Sequence, residues 1–221
     1  MSDEYRIAAA KEHLENKYNE EFVDIAWNNY DEYRCHPASN KDVTVKVFVE
    51  KENGETVIED NYYGWLIRDE YTELTDKIIR QWFPDEEIKI FFNFTNSYFE
   101  YPPATSLVEA MAESPKSVSS NLWIFIAEEE GLDTDVFAAK CLDFTEALKE
   151  ANYETSLKVF AIQGEHLEKS VNEDNYKKHF SKNKNRENGF LYEFRAGIIF
   201  RNAEQGIEIV IRASNGLSDE E

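Results

Sequence analysis

The chain has 221 residues, of which 42% are hydrophobic and 14% aromatic, with a formal net charge of −21 and only two cysteines. This composition is typical of a folded globular protein, and it argues against a disordered chain, a fibrous repeat and a disulfide-stabilised small domain. The negative charge disfavours nucleic acid and anionic membranes as partners, because both need Lys and Arg to neutralise their phosphates. A basic protein partner would suit this charge, although an acidic surface also serves solubility alone.

The sequence predicts a soluble chain that does not insert into a membrane. No stretch reaches the apolar length of a membrane span, and the N-terminal residues MSDEYRIAAA lack the basic and apolar regions of a signal peptide. As it stands the chain would be cytoplasmic, and it would be extracytoplasmic if a leader has been removed.

The first hundred residues predict a helix, a strand, a hairpin, a second helix and a further strand. The first helix is expected to end near Asn19, and 22–27 reads as a strand. Valines alternate from Val43 to Val49, and Asn53-Gly54 then supplies a tight hairpin turn. A helical stripe runs from Ile67 to Trp82, and EIKIFFNF (87–94) is the next predicted strand.

The remaining chain predicts a strand, a helix and three more strands. The run NLWIFIAEE (121–129) is apolar enough for a strand buried on both faces. Asp133 or Thr134 caps a helix, and the segments 156–163, 190–201 and 206–213 follow as strands. Cys141 lies on the apolar stripe of that helix and Cys35 near a strand end, and their spacing gives no support for a disulfide.

We therefore predict an α+β fold with largely antiparallel sheets and helices packed on one face. The predicted organisation is an N-terminal half (1–100), a linker (101–120) rich in Pro and Ser, a C-terminal half (121–214) and an acidic tail (215–221).

A repeated tetrapeptide raises the hypothesis that the halves are duplicates. EDNY occurs at 59–62 and at 173–176, and KVF precedes each copy, at 46–48 and at 158–160. Coincidence is the alternative, since one shared tetrapeptide is close to expected in a chain of this composition. Each EDNY is interpreted as a helix N-terminus with an Asp or Asn cap, in preference to a metal site.

No catalytic, cofactor or metal residue is predicted. The chain lacks the spacings C-x-x-C, H-E-x-x-H, G-x-S-x-G and the glycine-rich phosphate loops. Its four histidines show no helical metal-site spacing, and adjacent Cys35 and His36 would point to opposite faces of a strand.

Two segments are candidate contact surfaces. The basic island between 175 and 186 could contact an anion or an acidic surface, or it could be a solvated loop, and its cations are Lys177, Lys178, Lys182, Lys184 and Arg186. The aromatic cluster of Tyr62, Tyr63, Trp65 and Tyr71 could line a groove with Tyr30 and Tyr33, or its rings could belong to the core.

The first third of the chain resembles a loose group of uncharacterised proteins of Gram-positive bacteria. The matching residues are Lys17-Tyr18, Glu20-Glu21-Phe22, Pro37, Asn40, Asp42, Asn53-Gly54-Glu55 and Asp60-Asn61-Tyr62. Members are often exported or membrane-anchored, which implies an envelope-associated setting. The group has no established activity, so the resemblance implies no functional residue.

Three classes of function follow from these observations. The first is a non-enzymatic binding or accessory domain associated with the envelope. The second is an acidic immunity-type inhibitor or nucleic-acid mimic that binds a basic partner. The third is an enzyme whose carboxylate site has no recognisable motif.

Overall fold

The computed structural model describes residues 1–29, 31–95, 98–129, 131–173, 176, 190–201, 205–209 and 212–214. Their contacts divide the chain into two compact units. The first unit comprises Met1–Glu70 and Asn96–Ala110, and the second comprises Tyr71–Thr95 and Met111–Glu221. Among the described residues, no helix combines the length and the apolar character needed to cross a membrane.

The first unit is built on a four-stranded antiparallel sheet in the order β1-β2-β3-β4. Its elements are α1 (Asp3–Tyr18), β1 (Phe22–Asn29), β2 (Glu32–Pro37), β3 (Val45–Glu52), β4 (Glu55–Asp60) and α2 (Tyr62–Leu66). Two further helices, α3 (Arg68–Ile79) and α4 (Leu107–Glu113), run across the boundaries between the residue ranges of the two units.

The core of the first unit follows from the alternation in β3. Val45, Val47 and Val49 are buried and pack with Ala10 and Leu14 of α1, whereas the residues between them face outward. The predicted hairpin is confirmed, since β3 and β4 pair through a turn in which Asn53 (φ 50°) and Gly54 (φ 92°) have left-handed backbones.

The predicted end of the first helix is also confirmed. Ser2 caps α1 by accepting a hydrogen bond from the Tyr5 amide, and Asn19 ends it in the left-handed conformation. Strand β2 was predicted only as an extended segment with Cys35 near a strand end, without bounds, and its buried residues alternate regularly with half-buried and exposed ones.

The second unit contains a mixed sheet in the order β10-β8-β7-β6-β5, with β9 paired to β8. Strands β6 and β7 are parallel and are joined through α5, whereas the other described pairs in this sheet are antiparallel. The elements are β5 (Ile88–Phe94), a 3₁₀ helix (Pro115–Val118), β6 (Ser120–Glu128), α5 (Thr134–Glu150), β7 (Thr155–Gln163), α6 (Gly164–Ser170), β8 (Phe190–Arg201), β9 (Gln205–Ile209) and β10 (Arg212–Ser214).

Helices cover both faces of this second sheet. Phe92 of β5 stacks on Tyr71 of α3 with ring centroids 4.2 Å apart, whereas its neighbour Phe91 faces the cluster that contains Leu167 of α6. Successive residues of a strand point to opposite faces, so α3 and α6 lie on opposite sides. The α+β class is confirmed. The prediction of helices on one face fits the first sheet, on which α1 packs. It does not fit the second sheet, because its apolar central strands need to be covered on both faces.

The two units do not coincide with the two predicted halves. Strand β5 pairs with β6 over seven residues, and this sheet pairing places 71–95 in the second unit. The predicted linker 101–120 contains α4, the 3₁₀ helix and the first residue of β6. The predicted tail, 215–221, lies outside the described residues.

The two copies of KVF occupy different positions in their sheets. Lys46-Val47-Phe48 lies in β3, between two antiparallel neighbours, and leads into the hairpin. Lys158-Val159-Phe160 lies in β7, beside a parallel neighbour, and leads into α6. Duplicated halves would place both in the same strand of a common topology, so the structure favours coincidence. Asp174 and Asn175 of the second EDNY lie outside the described residues.

Both cysteines are buried free thiols, and we expect them to be unreactive in the folded protein. Burial, with a contribution from Asp60, raises the pKa of Cys35 to about 12, and burial also raises the pKa of Cys141. Labelling by a chromogenic disulfide reagent at neutral pH should be at least about a hundredfold slower in the native chain than in the urea-unfolded chain. Prompt native labelling of one thiol would contradict this burial.

Candidate functional site

A fully buried carboxylate lies at the end of β4 in the first unit. The Asp60 side chain has no exposed surface, and it faces the core because it is paired with buried Val47. Three residues of α1 converge on it: His13 Nε2 at 3.0 Å, Lys17 Nζ at 2.8 Å and Tyr18 OH at 2.6 Å. The Tyr62 amide donates a fourth hydrogen bond, at 3.0 Å.

The electrostatics of this cluster keep Asp60 ionised. Burial alone would raise its pKa, but hydrogen bonds from His13, Lys17 and Tyr18, together with the Lys17 charge, hold the pKa below its ordinary value of 3.8. Burial and the nearby Asp60 charge in turn raise the pKa of Tyr18. Asp60 is therefore an anion that accepts from Tyr18 and Tyr62 at Oδ1 and from His13 and Lys17 at Oδ2.

This bonding favours a structural role over a catalytic one. A carboxylate offers about four acceptor positions, and four donors occupy those of Asp60. Accepting a proton from a substrate would require one of these buried bonds to break. We find no group of three or more His, Cys, Asp or Glu side chains placed to hold a metal ion among the described residues.

The residues around Asp60 also bond the segment that begins at Tyr98. The Phe99 amide donates to the Asp60 carbonyl at 2.9 Å, and the Phe99 carbonyl accepts from Lys17 Nζ at 2.9 Å. This segment places the Tyr98 ring against Phe48 on the outer face of the sheet, with centroids 5.8 Å apart. Lys17 thus bonds both the buried carboxylate and the segment that carries Tyr98.

That outer face presents a set of carboxylates, which we call the acidic stripe: Glu50, Glu52 and Glu55. Glu50 and Glu52 share the outward side of β3, and Glu55 of β4 lies directly opposite Glu52. Glu52 and Glu55 are exposed and Glu50 is half-buried. Within the described part of the chain, no cationic side chain lies within 4.0 Å of any of the three.

Like charges oppose one another across the acidic stripe. Contact with Glu52 is the main cause that raises the pKa of Glu50, with smaller contributions from burial and from Asp31 and Glu59. Glu32 on the same face differs, since Arg34 and Lys46 pair with it at 3.4 and 3.6 Å. Like charges directly opposite in a sheet are destabilising, so the stripe lowers the stability of the hairpin that carries it.

The structure corrects the predicted aromatic surface. Tyr62 and Tyr63 are core residues that are 6% and 0% exposed, and their hydroxyls donate to Glu20 and to the Thr105 carbonyl. They are buried because α2 turns its rings towards the core of the unit. Trp65 is half-buried, with the Arg68 guanidinium over its ring.

The other rings of the predicted cluster and groove are Tyr71, Tyr33 and Tyr30. Tyr71 is buried, at 1% exposed. Tyr33 is fully buried, and Tyr30 lies outside the described residues. The five cations of the basic island, Lys177, Lys178, Lys182, Lys184 and Arg186, also lie outside the described residues.

The predicted cap at Asp60-Asn61 has the right position but a different bonding pattern. Asn61 is the N-cap residue of α2, yet its side chain accepts from the Lys46 amide of β3 at 2.7 Å. Asp60 is the residue that bonds the Tyr62 amide, and its role at the centre of a buried cluster was missed. His13 and Lys17 are four residues apart and share a face of α1, which was a signal, but nothing in the sequence identifies their partner.

Comparison with known protein families and with curated proteins finds no match. Among solved structures, the chain is similar to the crystal structure of a DUF5037 family protein from Ruminococcus gnavus ATCC 29149. The two chains are 15% identical, with a TM-score of 0.36 over 74% of this chain and 77% of the other. A similarity at this level identifies neither a common fold nor a function.

Proposed function

We propose that this chain is a non-enzymatic binding protein that recognises a basic protein partner through the acidic stripe. The observation that carries the proposal is the crowding of Glu50, Glu52 and Glu55 on one face without a neighbouring cation in the described residues. Cationic side chains of a partner would relieve this repulsion, so binding would restore the stability that the stripe costs.

Two further features support a protein as the partner. The net charge of −21 repels the phosphates of nucleic acid and steers a basic protein towards the surface. Phe48 and Tyr98 lie on the same face as the stripe, and aromatic residues are enriched at protein interfaces. An accessory domain at the envelope and an immunity-type inhibitor both fit this mode of binding, and the activity of the captured partner would distinguish them.

The test is affinity capture from a lysate of the source organism with three forms of the chain. The stripe variant carries Glu50→Gln, Glu52→Gln and Glu55→Gln. The matched control variant carries Glu12→Gln, Asp42→Asn and Glu100→Gln, which removes the same charge from exposed positions of the same unit.

We expect the wild-type chain and the control variant to capture the same basic protein at low salt and to release it at high salt. With the purified partner, the stripe variant should bind about tenfold more weakly or worse, since each factor of ten is about 1.4 kcal/mol. No captured partner at either salt, or equal affinity for the stripe and control variants, would overturn the proposal.

A further inference from the structure

Strand β4 lies at the edge of the first sheet, with β3 as its neighbour on one side only. The register pairs Glu52 with Glu55 across the hairpin turn and continues without a shift. Because the residues that flank a tight hairpin turn bond each other, every second residue of β4 from Glu55 onwards bonds β3. Thr56 and Ile58 lie between the bonded residues, so their backbone N–H and C=O groups point to the outer edge, away from β3.

The end of β4 shows the same alternation. The Asp60 carbonyl points to the outer edge and accepts from the Phe99 amide at 2.9 Å, whereas the Asn61 amide donates back to β3. Among the described residues, nothing bonds the outward backbone groups of Thr56 or Ile58. Unpaired backbone groups at a sheet edge are a template for another strand, and this template extends from the hairpin turn to Phe99.

The outer face of β4 carries negative charge along this edge. Glu55, Val57 and Glu59 share that face, because they lie opposite Glu52, Glu50 and Phe48 of β3. Glu55 is exposed, whereas Val57 and Glu59 are half-buried. In the part of the chain that the structure describes, no cation lies within 4.0 Å of Glu55 or Glu59.

The core face of β4 is apolar beside the same edge. Ile58 is partly buried against the core of the first unit. Tyr5 of α1 is 53% exposed, and its hydroxyl lies 3.5 Å from Thr56 Oγ1. A strand added here would therefore meet carboxylates on one face and apolar surface on the other.

Charge decides which occupant fits the edge. Antiparallel pairing of two copies about Val57 would place Glu55 of each copy opposite Glu59 of the other, and like charges directly opposite are destabilising. The net charge of −21 adds a general repulsion between copies. A segment with cationic side chains would instead pair with the same carboxylates.

We propose that the basic partner adds an extended segment to β4 as a fifth strand of the first sheet. Antiparallel pairing is slightly more stable per residue than parallel pairing, and the segment's backbone would bond Thr56 and Ile58. Lys or Arg would lie opposite Glu55 and Glu59, with an apolar residue opposite Val57 between them. Backbone bonds would supply affinity and the alternate side chains specificity. This inference rests on the proposed function, to which it adds the conformation and pattern of the partner's segment.

The test is titration of the full chain with a blocked peptide, Thr-Lys-Thr-Val-Thr-Lys-Thr, with amide hydrogen exchange followed by NMR. At saturation the peptide should slow exchange of the Thr56 and Ile58 amides at least about tenfold, since each gains an acceptor. The same peptide with glutamate in place of both lysines is the charge control and should not bind. No saturation below about 1 mM peptide, or saturation without protection of these amides, would overturn the proposal.

Backbone N-methylation distinguishes strand addition from attraction between charges. Methylation of both threonines beside the valine removes the N–H groups that would bond β4, and it should weaken binding at least about tenfold. Methylation of the valine changes an N–H that would point away from β4, so this matched control should bind like the parent peptide. Equal affinity of the two methylated peptides would overturn strand addition and leave charge recognition by the acidic stripe standing. Equal affinity of the partner for the stripe and control variants would instead overturn the proposed function.

The corresponding change in the protein is Thr56→Pro. Proline removes one outward N–H, which an edge strand tolerates, and it leaves every carboxylate in place. We expect at least about tenfold weaker peptide binding in this variant, and wild-type binding in the control Thr56→Val, which keeps the N–H. Unaltered affinity in Thr56→Pro, with an unchanged melting temperature, would rule out β4 as the pairing strand.

Discussion

Replacing Asp60 with asparagine is expected to lower the free energy of unfolding by about 3–5 kcal/mol. The substitution keeps the side-chain shape but removes a fully buried negative charge that four donors satisfy. It also points an amide donor at donors of α1, which leaves buried polar groups unpaired. Equilibrium urea unfolding at neutral pH measures the change.

The matched control is Asp24→Asn. Asp24 is 64% exposed and pairs with Lys41 at 3.3 Å, and Asn tolerates its left-handed backbone (φ 56°). We expect a change below about 0.5 kcal/mol in this variant. A loss of similar size in Asp24→Asn and Asp60→Asn would show that the buried carboxylate of Asp60 contributes no more to stability than an exposed one.

The pH dependence gives an independent check on Asp60. Its pKa is lower in the folded chain than its ordinary 3.8, so the unfolded chain takes up the proton first as the pH falls. The contribution of Asp60 is therefore complete above this ordinary value and is lost as the pH falls towards the folded pKa. As the pH is lowered from 5 to the acid limit of folding, the free energy of unfolding should therefore fall less in Asp60→Asn than in the wild-type chain.

Replacing Lys17 with methionine is expected to cost about 3 kcal/mol, for the complementary reason. Methionine keeps most of the apolar stem, but Asp60 loses its nearest full positive charge and the Phe99 carbonyl loses its donor. The pKa of Asp60 should rise, so acid unfolding should begin at a higher pH than in the wild-type chain. Urea unfolding at several pH values measures both effects.

Lys11→Met on the same helix is the control, because Lys11 is 46% exposed and pairs with Glu15 at 3.5 Å. Its expected cost is about 0.3 kcal/mol. The double variant Asp60→Asn, Lys17→Met should lose less than the sum of the two single changes, since both remove one interaction. Strict additivity would mean that the two side chains do not stabilise the fold through each other.

Local signals were sufficient for much of the fold. The alternating valines and Asn53-Gly54 specified the hairpin because side-chain period and turn chemistry act over a few residues. The same pattern contains the acidic stripe, since a two-residue turn puts Glu52 and Glu55 opposite each other. The parallel pairing of β6 and β7 also had a signal, because a helix predicted between two apolar strands is typical of a crossover connection.

No local sequence pattern indicated the buried cluster around Asp60 in the first unit. Asp60 lies 47 residues from His13 and 43 from Lys17 in sequence, and its hydrogen bonds arise only when α1 packs on the sheet. The sequence pattern EDNY is compatible with a cap, and tertiary packing decides that the carboxylate is buried instead.

The most direct measurement of the central claim is the stability of the stripe variant relative to the control variant across a range of salt concentrations. The pKa of Glu50 is raised chiefly by a side-chain hydrogen bond with Glu52, then by burial and by the charges of Glu52, Asp31 and Glu59. Ionisation of Glu50 therefore costs stability above that pKa, and the cost disappears as the carboxylate is neutralised. We predict that the stripe variant is more stable than both the wild-type chain and the control variant at low salt, and that this gain shrinks as salt screens the charges. A stripe variant that is less stable than the control variant, or a difference independent of salt, would contradict the claim. It would show that repulsion among the stripe carboxylates does not destabilise the unbound protein.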